Sequence, residues 1–120
     1  MPRILVLEDE PLIAIMLRSW LQEIDCETVG PDHSVQSALD LLQGARLDGA
    51  LLDVSLQDNE KSYLFASALR DRSVPFAFLT GYAAEDVAAR FREAPVLCKP
   101  LEFEAFKAAI AELLAPRQCR

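Results

Sequence analysis

No apolar run in this 120-residue chain approaches the roughly 20 residues that cross a bilayer. The opening "MPRILVLEDE" becomes charged by its eighth residue and lacks the apolar body of a secretory signal. Basic residues are scarce, 12 Lys and Arg against 19 Asp and Glu, so the net charge is -7. The clustered positive surface that a polyanion requires is therefore missing, and anionic lipid is disfavoured too. Cysteine is limited to Cys26, Cys98 and Cys119, with no CxxC pair and no metal-ligand spacing. An odd count of this kind suits reduced thiols in a reducing compartment rather than a disulfide framework. The sole histidine, His33 in "GPDHS", has no companion ligand for a metal and no nucleophile for a triad, and reads as a solvated turn residue. These absences predict a cytoplasmic, soluble domain that contacts neither nucleic acid nor membrane.

What is present is apolar sequence in a regular order. Apolar residues make up 52% of the chain, which argues for a folded core, and the length suits one domain. Short runs rich in Val, Ile, Leu and Phe predict strands at Arg3–Glu8, Cys26–Val29, Gly49–Val54, Pro75–Thr80 and Ala94–Cys98. Helical periodicity predicts helices at Pro11–Ile24, Ser34–Gln43, Glu60–Asp71, Ala84–Phe91 and Phe103–Leu114. Pro11 suits a first helical turn, Ser34 an N-cap, and Pro116 a stop. Glu102 and Glu104 suit the start of the last helix, whose dipole favours negative charge. Strict alternation of this kind predicts an α/β fold, a flavodoxin-like (βα)5 doubly wound five-stranded parallel sheet in three layers, α/β/α. Such sheets bind ligands beyond the carboxyl ends of their strands.

Those ends carry chemistry. The first predicted strand ends in Glu8 and Asp9, the third at Asp53, the fourth at Thr80, and Lys99 follows the fifth. Crowded carboxylates oppose each other's ionisation unless a cation neutralises them. Mg²⁺ is the simplest such cation, because it takes oxygen ligands from one or two carboxylates and keeps waters for a phosphate. An Asp balanced by Mg²⁺ and a Lys is a competent nucleophile toward phosphorus, and Thr80 can donate to a phosphoryl oxygen. The set therefore reads as a phosphorylatable aspartate.

The stretches "ILVLEDEPLI", "DGALLDVSL", "FLTGY" and "VLCKPLEFEAF" resemble, in order and over essentially the whole chain, the receiver domain of two-component response regulators. The resemblance implies that Asp53 is the phosphoacceptor. It implies Mg²⁺ held by Asp9, Asp53 and the Ser55 backbone carbonyl, with Glu8 acting through metal-bound water. It also implies that Lys99 and Thr80 meet the phosphoryl group, and that the bond before Pro100 is cis. The implied phosphodonor is a histidine kinase or a phosphotransfer domain. The expected protein is a stand-alone receiver over residues 1–120 with no output domain, signalling through a downstream protein partner or draining phosphate. It would not be an enzyme in the ordinary sense, although its residues would promote both phosphotransfer and later hydrolysis. Two rivals fit less well. A pseudo-receiver binding module should lack the acceptor, a metal acid or the Lys, and none is missing. A haloacid-dehalogenase-like phosphohydrolase wants Asp-x-Asp, and "DVS" lacks the second acid.

Four departures from the receiver pattern stand out. Val96 occupies the position, three before Lys99, where an aromatic switch residue is usual. "PFAFLTGY" is similar to the single-domain subgroup nicknamed FATGUY, with Leu79 for its Ala, and this implies a kinase of the HWE type. The interval from Thr80 to Lys99 is short, with only Val87 and Phe91 as obvious anchors, which predicts a short or mobile helix that orders or shifts on phosphorylation. The loop "SLQDNEKS" lacks the usual Pro and Gly.

Two residue groups carry two readings each. Tyr82 is either an aromatic covering its helix, or a replacement switch or shield that governs water at the phosphoryl group. "PLIAIML" is apolar at all seven positions, more than a core-facing stripe needs. Either neighbouring elements cover it, or Pro11, Leu12 and Ile15, with Leu101, form a kinase docking patch. Trp20, on the same helix, reads as packing.

Overall fold

The computed structural model describes residues 1–44, 46–54, 56, 62–81, 87 and 89–115. Five strands form one parallel sheet: β1 (Arg3–Leu7), β2 (Glu27–Asp32), β3 (Gly49–Asp53), β4 (Phe76–Thr80) and β5 (Val96–Cys98). Their order is β2-β1-β3-β4-β5, so the connection reverses direction at β1 and β3. Four helices accompany them: α1 (Pro11–Glu23), α2 (Val35–Gly44), α3 (Tyr63–Asp71) and α4 (Phe103–Leu114). The fold is the expected flavodoxin-like, doubly wound sheet.

Alternate strand residues face opposite sides, and each side has its own core. Leu5, Leu7, Leu52 and Phe78 pack with α2 and α3 through Ala38, Leu42, Phe65 and Leu69. Ile4, Val6, Leu51 and Leu79 pack with α1 and α4 through Leu17, Leu21, Phe106 and Ile110. β3 and β4 are buried along their whole length, as strands covered on both faces must be. Trp20 lies edge-on to Phe103 at 5.4 Å and tilted to Phe106 at 5.2 Å, cementing α1 to α4. The Ser34 hydroxyl accepts the Ser37 N–H at 3.2 Å and caps α2. Pro11 opens α1, and Glu102 and Glu104 flank the start of α4.

Several boundaries differ from expectation. β2 continues three residues past Val29, through a Gly30–Pro31 pair that reads as a stop in sequence. Gly30 has φ +92, and a Cβ there would stand 2.8 Å from the Asp32 nitrogen, so the path needs glycine. An edge strand tolerates the missing N–H of Pro31, and the register slips between Leu5, opposite Val29, and Leu7, opposite Asp32. β5 is shorter than expected because the Ala94 N–H turns back to the Phe91 carbonyl at 3.1 Å. α3 begins at Tyr63, since the Ser62 N–H is committed to the Val54 carbonyl at 3.1 Å.

Of the expected helix at 84–91, Val87, Ala89 and Arg90 are helical, and the Phe91 N–H donates to the Val87 carbonyl at 3.0 Å. Val87 and Phe91 are buried anchors. Phe91 packs against Phe78 and Tyr63, with ring centroids 5.3 and 5.7 Å away. The Arg70 guanidinium lies 4.6 Å over the Phe91 ring while bonding Glu93 at 2.7 Å, and Arg90 lies 4.8 Å over Tyr63. This stretch is thus clasped to α3 by cations on rings as well as by its two apolar anchors. Ser55, Tyr82, Pro116 and Cys119, and residues 84–86 and 88 of the expected helix at 84–91, lie outside the described residues.

Candidate functional site

The apolar strands carry their polar residues to one edge of the sheet. β1 runs into Glu8, Asp9 and Glu10, β3 ends on Asp53, β4 ends on Thr80, and β5 runs into Lys99. β1 and β3 are adjacent, so Glu8 and Asp53 emerge side by side at the point where the strand order reverses. The Thr80 carbonyl accepts the Lys99 N–H at 2.7 Å, and the next peptide, Lys99–Pro100, is cis. Thr80 is buried.

Lys99 is the cation of this group. Its Nζ stands 3.2 Å from Asp53 Oδ2, 3.3 Å from Glu8 Oε1 and 3.4 Å from Glu10 Oε1. The contacts to Asp53 and Glu10 are hydrogen bonds. The approach to Glu8 Oε1 is an ion pair without hydrogen-bond alignment, and this buried oxygen has no aligned donor among the described residues. Glu8 Oε2 accepts the Glu10 N–H at 3.1 Å.

Burial, followed by the hydrogen bond and negative charge of Asp53, pushes the Glu8 carboxyl up to about 7; the Glu10 N–H and the Lys99 charge pull the other way. For Lys99, burial favours the neutral form. The carboxylates of Glu8, Asp53 and Glu10 outweigh it, so its pKa is raised and the ammonium stays charged.

Glu8, Glu10 and Asp53 each offer an oxygen within 4.8 Å of the others. A buried carboxylate oxygen with no aligned donor among the described residues, beside two further carboxylates, is a donor set that fits a hard divalent cation. Asp9 is half-buried next to this trio and is not one of its three members. The sequence pointed to Glu8, Asp9 and Asp53 and not to Glu10. The available signal was the third acid of the "EDE" run, directly before the proline that starts α1. Asp32 was also overlooked: its carbonyl accepts the Glu8 N–H at 3.0 Å, and burial raises its carboxyl pKa although the His33 charge opposes this.

The model of the response regulator receiver domain matches residues 4–111. The chain belongs to the receiver domain family of two-component response regulators. The receiver is similar to SdrG from Sphingomonas melonis Fr1, at 43% identity and a TM-score of 0.84, covering 96% of this chain and 98% of SdrG. SdrG has also been solved in a BeF3-activated conformation, which matches this receiver with a TM-score of 0.81. The response regulator PhyR from Brucella abortus is 28% identical with a TM-score of 0.82, covering 93% of this chain and 47% of PhyR. The transcriptional regulatory protein MalR of Bacillus subtilis strain 168 is 28% identical, covering 93% of this chain and 50% of MalR. The receiver spans about half the length of the curated relatives it matches.

The expected docking residues lie beside this edge. Pro11 is exposed, Leu12 and Ile15 are 81% and 65% exposed on α1, and Leu101 is partly buried against the α1–α4 core. Val96, at the usual aromatic position, is half-buried against the other core. No helix among the described residues is long and apolar enough to cross a membrane.

Proposed function

We propose that this receiver takes a phosphoryl group from a histidine kinase onto Asp53. The observation that carries the reading is the Asp53 carboxylate itself, buried at the end of a central strand and hydrogen-bonded to Lys99 at 3.2 Å. An Asp53 oxygen attacks phosphorus in line, and the P–N bond of the donor phosphohistidine breaks. The imidazole nitrogen leaves with the electron pair and later takes a proton, and the product is an acyl phosphate.

Lys99, held charged by its carboxylate neighbours, turns an N–H to the transferred oxygens. The Thr80 hydroxyl donates to another. Asp53, Asp9 and the Ser55 carbonyl, with Glu8 beside them, would hold Mg²⁺, which would supply charge neutralisation at the phosphoryl oxygens when bound. The 43% identity to SdrG, a protein solved in a BeF3-activated form, supports this use of the site.

The kinase docks on the exposed apolar residues Leu12 and Ile15, next to Pro11 and Leu101. The "TGY" stretch favours a kinase of the HWE type, and the phosphorylated receiver signals to a downstream protein partner or serves as a phosphate sink. Beryllofluoride with Mg²⁺ tests the reading through amide NMR shifts. Wild type should change around Thr80 and Lys99, and Asp53→Ala should not respond. Equal responses in both proteins would refute Asp53 as the acceptor.

A further inference from the structure

Three carboxylates share Lys99, and they differ in solvent access. The side chains of Glu8 and Asp53 are 0% and 7% exposed, whereas that of Glu10 is 62% exposed. Glu10 is also tied at its backbone, because its N–H donates to Glu8 Oε2 at 3.1 Å. This places its carboxylate over the mouth of the site, 3.4 Å from the Lys99 ammonium.

We infer that Glu10 is a positioning residue that holds Lys99 in the resting state, and that its tie is exchanged for the phosphoryl group when Asp53 is phosphorylated. The inference rests on the phosphoacceptor reading above. A phosphoryl group adds negative charge and strong acceptor oxygens beside Lys99, and these compete for its donors. The exposed Glu10 pair is the cheapest to release, since pairs in such surroundings shift an equilibrium by about fivefold at most. Until released, Glu10 restrains the ammonium and adds negative charge where an anionic donor must enter. Both effects slow phosphorylation.

The test uses the full chain at saturating Mg²⁺ with acetyl phosphate as donor. An Asp53 oxygen attacks phosphorus, the P–O bond to the acetyl group breaks, and acetate leaves with the electron pair. Intact mass follows the adduct in wild type, Glu10→Gln and Glu10→Asp. Glu10→Gln should react roughly twofold to fivefold faster at low salt, with the gain shrinking toward 1 M salt as screening shortens to about 3 Å. Glu10→Asp keeps the charge but is one methylene shorter, so it should also be faster than wild type. In metal-free protein, the ¹⁵N shift of the Lys99 ammonium should move in both variants.

Rates and ammonium shifts equal to wild type in Glu10→Gln would overturn the inference. A gain in Glu10→Gln with none in Glu10→Asp would overturn the positioning role, leaving only a charge effect. Absence of any adduct on wild type would instead overturn the phosphoacceptor reading, and the inference with it.

Discussion

Replacing Glu8 by Gln should stabilise the metal-free protein at alkaline pH, although it removes an acid from the centre of the site. The Glu8 carboxyl is fully buried, and its pKa is raised from 4.5 to about 7 by that burial and then by Asp53. The folded protein thus binds this proton more tightly than the unfolded chain. The resulting stabilisation is complete below pH 4.5 and is lost as pH rises through 7. Above that range the native state carries an ionised Glu8 at a cost on the order of 3 kcal/mol, the equivalent of the gap between the two values. Gln resembles the protonated acid in shape and hydrogen bonding, so Glu8→Gln should recover much of that energy, on the order of 10 °C in Tm for a domain of this size. The assay is thermal unfolding in a chelator at pH 8.5 and at pH 5. The advantage of Glu8→Gln should be large at the first and small at the second. Added Mg²⁺ should then raise the Tm of wild type more than that of the variant. Equal or lower stability of Glu8→Gln at pH 8.5 would show that Lys99 already compensates the buried charge, and would refute the reasoning.

Phe91→Ala should cost about 3–5 kcal/mol, because the ring is buried among Phe76, Phe78 and Tyr63 beneath Arg70. Denaturant unfolding reads that loss, and amide exchange should quicken at Val87, Arg90 and Phe91 while β1 and β3 stay protected. Gly30→Ala should destabilise by at least about 1–2 kcal/mol, from the left-handed backbone and the close Asp32 nitrogen. A midpoint in urea equal to that of wild type would contradict the strained path assigned to β2.

The arrangement at the sheet edge was legible because Glu8, Asp53, Thr80 and Lys99 each close an apolar run. A parallel sheet brings the ends of such runs together whatever their separation in sequence. Other features depend on signals that periodicity does not carry. Gly30–Pro31 marks a turn in most contexts, and the edge position of β2 beside β1 lets the strand continue through it with a slip in register. Arg70 and Arg90 carry no apolar signal, yet both lie over aromatic rings and anchor a stretch with only Val87 and Phe91 as apolar contacts in its sequence. Glu10 was passed over because it lies beyond the strand, on the connection to α1. Its backbone bond to Glu8 and its reach to Lys99 are products of the folded turn.

The packing of α1 on α4 has a practical consequence. Trp20 is the protein's only tryptophan, and it sits in that seam against Phe103 and Phe106, on the sheet face opposite Phe78 and Phe91. Its emission is therefore an optical reporter for the helix pair flanking the exposed Leu12 and Ile15, separate from the aromatic cluster behind Thr80. Titrating a kinase domain while watching this one fluorophore tests the proposed docking at α1, and labelling β4 tests the proposed phosphoryl site, so the two events can be timed independently in the same molecule.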